Sequence, residues 1–138
     1  MDDVKAVEAA IQHMFDLFCA HDADGVEAAL HDDCTVWDVF VPDLIQGKET
    51  RLAYHEADQA QSQARGPLDL RVEWLRTDVW GDTALARYLV RFDYEAPNAT
   101  SGVVRITSVL RRQEDGRWLI VHHQEGMIPQ GVPPTDEK

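Results

Sequence analysis

The amino-acid sequence predicts a single α+β domain, with helices first and an antiparallel meander after them. Three observations lead there. Apolar residues recur at Val4, Val7, Ile11, Met14, Phe15 and Phe18, the i, i+3, i+4 spacing of an amphipathic helix. From Leu68 onward, apolar and polar residues alternate with the period of two expected of strands buried on one face. The 138 residues, 44% apolar and 28% charged, have the size and balance of one ordinary globular domain.

Each element has its own local reason. The first helix is expected to end near His21, where Asp22, Ala23, Asp24 and Gly25 favour a turn and a new helix cap. A short second helix carries Val26, Ala29 and Leu30 on its face, and Asp32 and Asp33 break it. Cys34 to Val41 reads as a strand, rich in β-branched and aromatic residues, before Pro42 and Asp43 turn the chain. Gly47 precedes a third helix from Lys48 to about Gln63, whose apolar face is thin (Leu52, Ala53, Ala57, Ala60) and which Gly66 and Pro67 stop.

Three alternating strands follow. Leu68, Leu70, Val72 and Trp74 share one face of the first, and Ala84, Ala86, Tyr88, Val90 and Phe92 one face of the second. Val104, Ile106, Ser108 and Leu110 share one face of the third, with Arg105, Thr107 and Val109 on the other. Glu114, Asp115 and Gly116 make a hairpin turn into a last strand from Arg117 to about Glu125. The domain is expected to span residues 1–128, and the Pro-rich acidic tail 129–138 to be disordered.

Bulk chemistry narrows the partners. Thirteen basic and 25 acidic residues give a formal charge of −12, which repels phosphate backbones and argues against nucleic acid and anionic membranes. No apolar run approaches the ~18 residues of a membrane span. The start, Met1-Asp2-Asp3-Val4, lacks the basic and apolar regions of a signal peptide, so a cytoplasmic protein is expected. Cys19 and Cys34 then read as reduced small hydrophobes. A phosphate-cradling glycine loop, a GxSxG elbow and an HExxH helix are missing from the sequence. His31, Asp32, Asp33 and Cys34 are consecutive rather than spaced, a poor chelate, so neither metal nor cofactor is expected.

Several residues could carry chemistry. Alternation puts Val36, Asp38 and Phe40 on one strand face, and an aspartate between apolar residues is costly to bury unless paired or functional. Burial would raise its pKa and make it a better base near neutrality. The plainer alternative is an aspartate that caps a loop or pairs with an arginine. His122 and His123 must point to opposite faces, so only one can reach a cavity. Alternation groups Leu119 and Val121 with His123, and Trp118 and Ile120 with His122. Tyr54 and Asp58 are four apart on the third helix, and Tyr54 could offer a hydroxyl to a cavity under a lid-like helix. Arg87, Arg91 and Arg105 could hold a carboxylate ligand if buried, or surface acids such as Glu73 if not. Trp37, Trp74, Trp80 and Trp118 are core or interface aromatics.

Two stretches carry a resemblance. Ala20-His-Asp-Ala-Asp-Gly-Val-Glu-Ala-Ala-Leu-His-Asp-Asp-Cys-Thr-Val-Trp-Asp38 resembles the first-to-second helix junction and first strand of the nuclear transport factor 2-like fold. Asp115-Gly-Arg-Trp-Leu-Ile-Val-His-His123 resembles the closing strand of its polyketide-cyclase-like (SnoaL-like) members and of the calmodulin-kinase association domain. The resemblance covers residues 1 to about 128. It implies a cone of three N-terminal helices packed on a curved, mainly antiparallel sheet around one apolar cavity.

It further implies a site. Asp38 falls where ketosteroid isomerases keep a proton-shuttling aspartate, and the register points His123 inward, making these two the catalytic candidates. Met14 falls where the isomerases keep one oxyanion donor, and Ser108 or Thr107, depending on the hairpin alignment, where they keep the other; Met14 cannot donate, which argues against a steroid isomerase. The expected pocket is Met14, Val36, Phe40, Tyr54, Arg105, Ser108 and His122. The expectation is then a small-molecule-binding domain with cofactor-independent acid/base chemistry (isomerase, cyclase or dehydratase class) on an apolar, carbonyl-bearing ligand. The alternative is a non-catalytic association or ligand-binding module. Pairing through the outer sheet face, common in this fold, makes a homodimer the expected assembly.

Overall fold

The computed structural model describes residues 2–129. The predicted tail therefore lies, beyond Pro129, outside the described residues. Helix α1 spans Asp3–Cys19, with the Asp2 side chain capping it by accepting from the Lys5 amide at 2.8 Å. Its apolar stripe buries Val7, Ile11, Met14 and Phe15. Helix α2, Ala23–Ala28, is capped by Asp22, which accepts from the Gly25 amide at 2.9 Å.

The first strand, β1, spans Leu30–Trp37. It begins four residues before the predicted Cys34 and ends four before Val41. Helix α2 is over by Ala28, so Asp32 and Asp33 do not end it; they lie in an irregular stretch of strand, exposed to solvent, where the register with the last strand shifts. A two-residue strand β2, Ile45–Gln46, precedes Gly47, whose φ of 88° suits glycine at the entry to helix α3, Lys48–Arg65.

Helix α3 turns a different face inward from the one predicted. Arg51, His55, Gln59 and Ser62 are buried, whereas Ala53, Ala57 and Ala60 are exposed. Polar residues four, four and three apart form the packed stripe: Arg51 and Ser62 find hydrogen-bond partners in Glu27 and Tyr94, and His55 lies beside Glu27.

Strands β3 (Leu68–Trp80), β4 (Thr83–Tyr94), β5 (Thr100–Arg112) and β6 (Trp118–Met127) complete one six-stranded sheet, in the order β2-β1-β6-β5-β4-β3. All pairs are antiparallel except β1 with β6. The alternation in β4 and β5 places Ala84, Ala86, Tyr88, Val90, Val104, Ile106, Ser108 and Leu110 on the inner face. Helix α1 packs on β3, β4 and β6, and α3 packs on α2 and β2. No described helix is long and apolar enough to cross a membrane.

One irregularity in β6 decides the site. Val109 pairs with His122 but Leu110 pairs with Ile120, so Val121 is an extra residue in the ladder. Trp118 and Ile120 are buried before this bulge, and His123 is buried after it. Leu119 and Val121 do not share the inner face with His123, as unbroken alternation would require. The bulge changes the phase and turns His123 and Glu125 inward.

Candidate functional site

A cavity of about 520 Å³ opens between α1, α3 and the inner sheet face. That volume suits a small organic ligand. Met14, Phe15, Phe18, Val36, Leu70 and Val90 supply part of its apolar wall. At one end, α3, β6 and the segment after β1 bring polar groups together: Tyr54 and Asp58, His123 and Glu125, and Asp38.

These groups form one connected chain. Parallel pairing sets Val36 beside His123 and Trp37 beside Gln124, which brings the next residues, Asp38 and Glu125, together. The Tyr54 hydroxyl donates to Asp38 Oδ1 in a short hydrogen bond, and the Phe40 amide donates to Oδ2 at 2.8 Å. The Asp38 and Glu125 carboxyls lie close enough for each to shift the other's titration, and two such groups can share a hydrogen bond only when one carries a proton. Glu125 Oε2 lies 3.1 Å from His123 Nε2, and Oε1 accepts from the Val39 amide at 3.4 Å. His123 Nδ1 lies 3.1 Å from Ser108 Oγ, itself 2.9 Å from the Tyr88 hydroxyl.

The electrostatics separate the two carboxyls. Burial pushes Asp38 above its ordinary value; hydrogen bonds from Tyr54 and the Phe40 amide oppose this, while Glu125 reinforces it. Burial acts the same way on Glu125, but the hydrogen bond and charge of His123, aided by Asp38 and the Val39 amide, outweigh it and hold Glu125 low. Of the two, Asp38 is pushed towards holding a proton and Glu125 towards the carboxylate. Burial, then the charges of Asp38 and Glu125, push Asp58 up to about 6. Burial, with Glu125 and Asp58, keeps Tyr54 protonated throughout the physiological range.

Behind this site lies a buried ionic cluster that sequence reading missed. Arg51, fully buried, donates to Glu27 through Nη2 at 2.8 Å and Nε at 3.3 Å, and through Nη1 to the Asp32 and Cys34 carbonyls at 3.0 Å. This bidentate clamp ties α2, β1 and α3 together. His55 lines the cavity with Nε2 3.2 Å from Glu27 Oε1, close enough for an ion pair but too misaligned for a hydrogen bond. Burial holds its pKa low despite Glu27, so the ring is neutral near pH 7. Beside Arg51, Cys34 is a buried free thiol pushed up to about 12 by burial, an inert core residue.

The predicted residues divide clearly. Asp38, His123, Met14, Val36, Tyr54 and Phe40 all line the cavity. Phe40 is 81% exposed, however, because the chain leaves the strand after Trp37; it stands at the rim rather than inside a strand face. Ser108 is fully buried behind His123 and supports it from outside the cavity wall. Ser108 is thus not a lining residue as expected, and two further assignments are corrected. Arg105 is exposed on the outer sheet face, where inner Val104 and Ile106 flank it. His122 also faces away from the cavity, bonded through Nδ1 to Thr35 Oγ1 at 2.7 Å, beside Trp37, Thr107 and Gln124. Arg87 and Arg91 pair with Asp78 and Glu73 on the outside. Asp38 and His123 meet through Glu125, which no reading of the sequence singled out. Among the described residues, no group of three or more His, Cys, Asp or Glu is arranged to hold a metal ion.

Comparison with known proteins agrees with this architecture. No curated protein gives a significant match. A nuclear transport factor 2-like protein of unknown function from Pseudomonas putida KT2440 superposes with a TM-score of 0.79 at 24% identity, over 89% of this chain and 84% of that one. A proposed dehydratase of the same family from Streptomyces avermitilis gives 0.81 at 17% identity, over 93% and 97%. A proposed calcium/calmodulin-dependent protein kinase II association domain from Xanthomonas campestris gives 0.80 at 15% identity, over 95% and 91%. These likenesses show the fold alone. The model of the SnoaL-like domain matches residues 11–121, and the chain belongs to that family, with a nuclear transport factor 2-like fold.

Proposed function

We propose that this domain binds an apolar, carbonyl-bearing small molecule and moves protons on it without a cofactor, in the manner of an isomerase, cyclase or dehydratase. On this reading the sheet wraps the helices as a cone, and the polar end of the cone is the reaction centre. The observation that carries it is the adjacent Asp38 and Glu125 carboxyls, both lining an apolar cavity, with His123 behind Glu125. On this reading Asp38, when protonated, donates its proton to the ligand's carbonyl oxygen, and the Tyr54 hydroxyl, which donates to Asp38, steadies the carboxylate left behind. The Glu125 carboxylate accepts a proton from the carbon next to that carbonyl, and His123 stabilises the charge arrangement. Returning the protons at another carbon isomerises the ligand, and losing a hydroxyl group dehydrates it. Met14 lacks a donor where steroid isomerases have one, so the steroid reaction itself is not proposed.

The test is exchange of carbon-bound protons. A panel of apolar ketones and enones is incubated with the protein in D2O and followed by proton NMR. Wild type should exchange protons next to the carbonyl of at least one compound, and Asp38→Asn and Glu125→Gln should lose that exchange. Binding without exchange, detected by native mass spectrometry, would support the second reading. That reading is a non-catalytic binding or association module, favoured by the likeness to the Xanthomonas campestris domain.

A further inference from the structure

The cavity has two chemically different ends. Tyr54, Asp58 and Arg65 all line it from α3, and Tyr54 and Arg65 are eleven residues apart on that helix, a rise of about 16 Å. The Tyr54 end carries the carboxyls of Asp38, Asp58 and Glu125. Among the described residues, these three are the only carboxylates that line the cavity.

Arg65 is held in place by neutral groups. Its guanidinium lies over the Tyr94 ring, 5.5 Å from the centroid, and Nη1 is 3.5 Å from Thr100 Oγ1. The Tyr94 hydroxyl is 2.8 Å from Ser62 Oγ, and Ser62, Tyr94 and Thr100 all line the cavity beside it. Such groups orient a cation without neutralising it. In a chain carrying −12, this is unusual company for an arginine. Arg51, Arg71, Arg91, Arg112 and Arg117 each have a carboxylate partner. Among the described residues Arg65 has none; Arg105 and Arg111 also have none, but both are exposed to solvent, whereas Arg65 lines the cavity. It is half-buried, planar and forked, with hydroxyl donors next to it, a combination suited to a carboxylate.

We propose that Arg65, with Ser62, Tyr94 and Thr100, forms an anion subsite, so that the cavity takes an elongated apolar carboxylic acid in one orientation. The inference deepens the proposed function and rests on it. Arg65 holds the carboxylate, the apolar wall holds the body, and the far end of the molecule lies against Asp38, Tyr54 and Glu125. The carboxyl-rich end repels the ligand's own carboxylate and disfavours the reversed orientation. An oxo acid whose ketone lies at the end remote from its carboxylate has the required chemistry.

Calorimetric titration with three probes of equal chain length tests this: decanoate, decan-1-ol and decylammonium. Decanoate should bind about tenfold more tightly than decan-1-ol, as a charge-assisted pair at a part-exposed site allows. Arg65→Gln should remove that advantage and leave decan-1-ol affinity unchanged, which also shows that the variant is folded. Arg65→Lys should keep part of the advantage. Equal binding of decanoate and decan-1-ol to wild type, a decanoate advantage that survives Arg65→Gln, or a preference for decylammonium over decanoate overturns the subsite while leaving the cavity a ligand site. Failure of every probe to bind overturns the small-molecule reading itself.

Discussion

Replacing Arg51 by methionine removes the guanidinium and keeps most of the side-chain volume. Glu27 then remains as a buried carboxylate without its bidentate partner, and removing one member of a buried pair costs about 3–5 kcal/mol. The Asp32 and Cys34 carbonyls also lose their donor, each a further loss of about 1 kcal/mol or more. Domains of this size unfold with about 5–15 kcal/mol, so Arg51→Met should lie near the edge of folding. Urea unfolding at pH 7, followed by far-ultraviolet circular dichroism, measures the loss. Glu27→Leu in the same chain removes the stranded charge, and the double variant should regain more than half of what Arg51→Met loses. A loss under about 1 kcal/mol, or a double variant as unstable as the sum of the two singles, would refute the clamp as the organiser of this corner.

Other expectations follow from the same geometry. Asp58, raised to about 6 from 3.8, binds its proton more tightly folded than unfolded, so its contribution to stability falls as pH rises between those values. Asp58→Asn should therefore stabilise the fold above pH 6, by of order 1–3 kcal/mol, and the gain should shrink towards pH 4, read by urea midpoints across pH. His122→Ala and Arg105→Ala, both outside the cavity, should leave ligand affinity unchanged, whereas His123→Ala should weaken any proton exchange at least tenfold. Ser108→Ala, which removes the partner of His123 Nδ1, should shift the pH profile of that exchange while His123 stays buried. The outer face carries exposed Trp37, Leu75 and Trp80, and sedimentation at micromolar concentration should show a homodimer at twice 15.6 kDa; a monomer alone would count against it.

Local periodicity made much of the fold legible. The stripe in α1 and the alternation in β4 and β5 follow from burial of one face, and one face is what the sequence displays. Tertiary compensation was less visible. Arg51, His55, Gln59 and Ser62 look like a solvent face of α3, yet Arg51 is buried by its pairing with Glu27, 24 positions earlier. Asp32 and Asp33 look like breakers, but a bulged strand holds them at its exposed edge. His123 was placed inside by resemblance, although the alternation that grouped it with Leu119 and Val121 fails at Val121. Glu125 stayed hidden because its place beside Asp38 depends on that bulge and on a parallel pairing between strands almost ninety residues apart, and neither leaves a local signal.

The central claim is that Asp38 and Glu125 titrate as a coupled carboxyl pair at the polar end of the cavity. Carbon-detected NMR titration of the Asp38 carboxyl, in wild type and in Glu125→Gln, measures this directly. The account predicts a wild-type midpoint above the ordinary 3.8, and a lower one in Glu125→Gln, where the neighbouring charge is gone and the amide can donate to Asp38. An Asp38 that titrates at its ordinary value, with the same midpoint in both proteins, would contradict it.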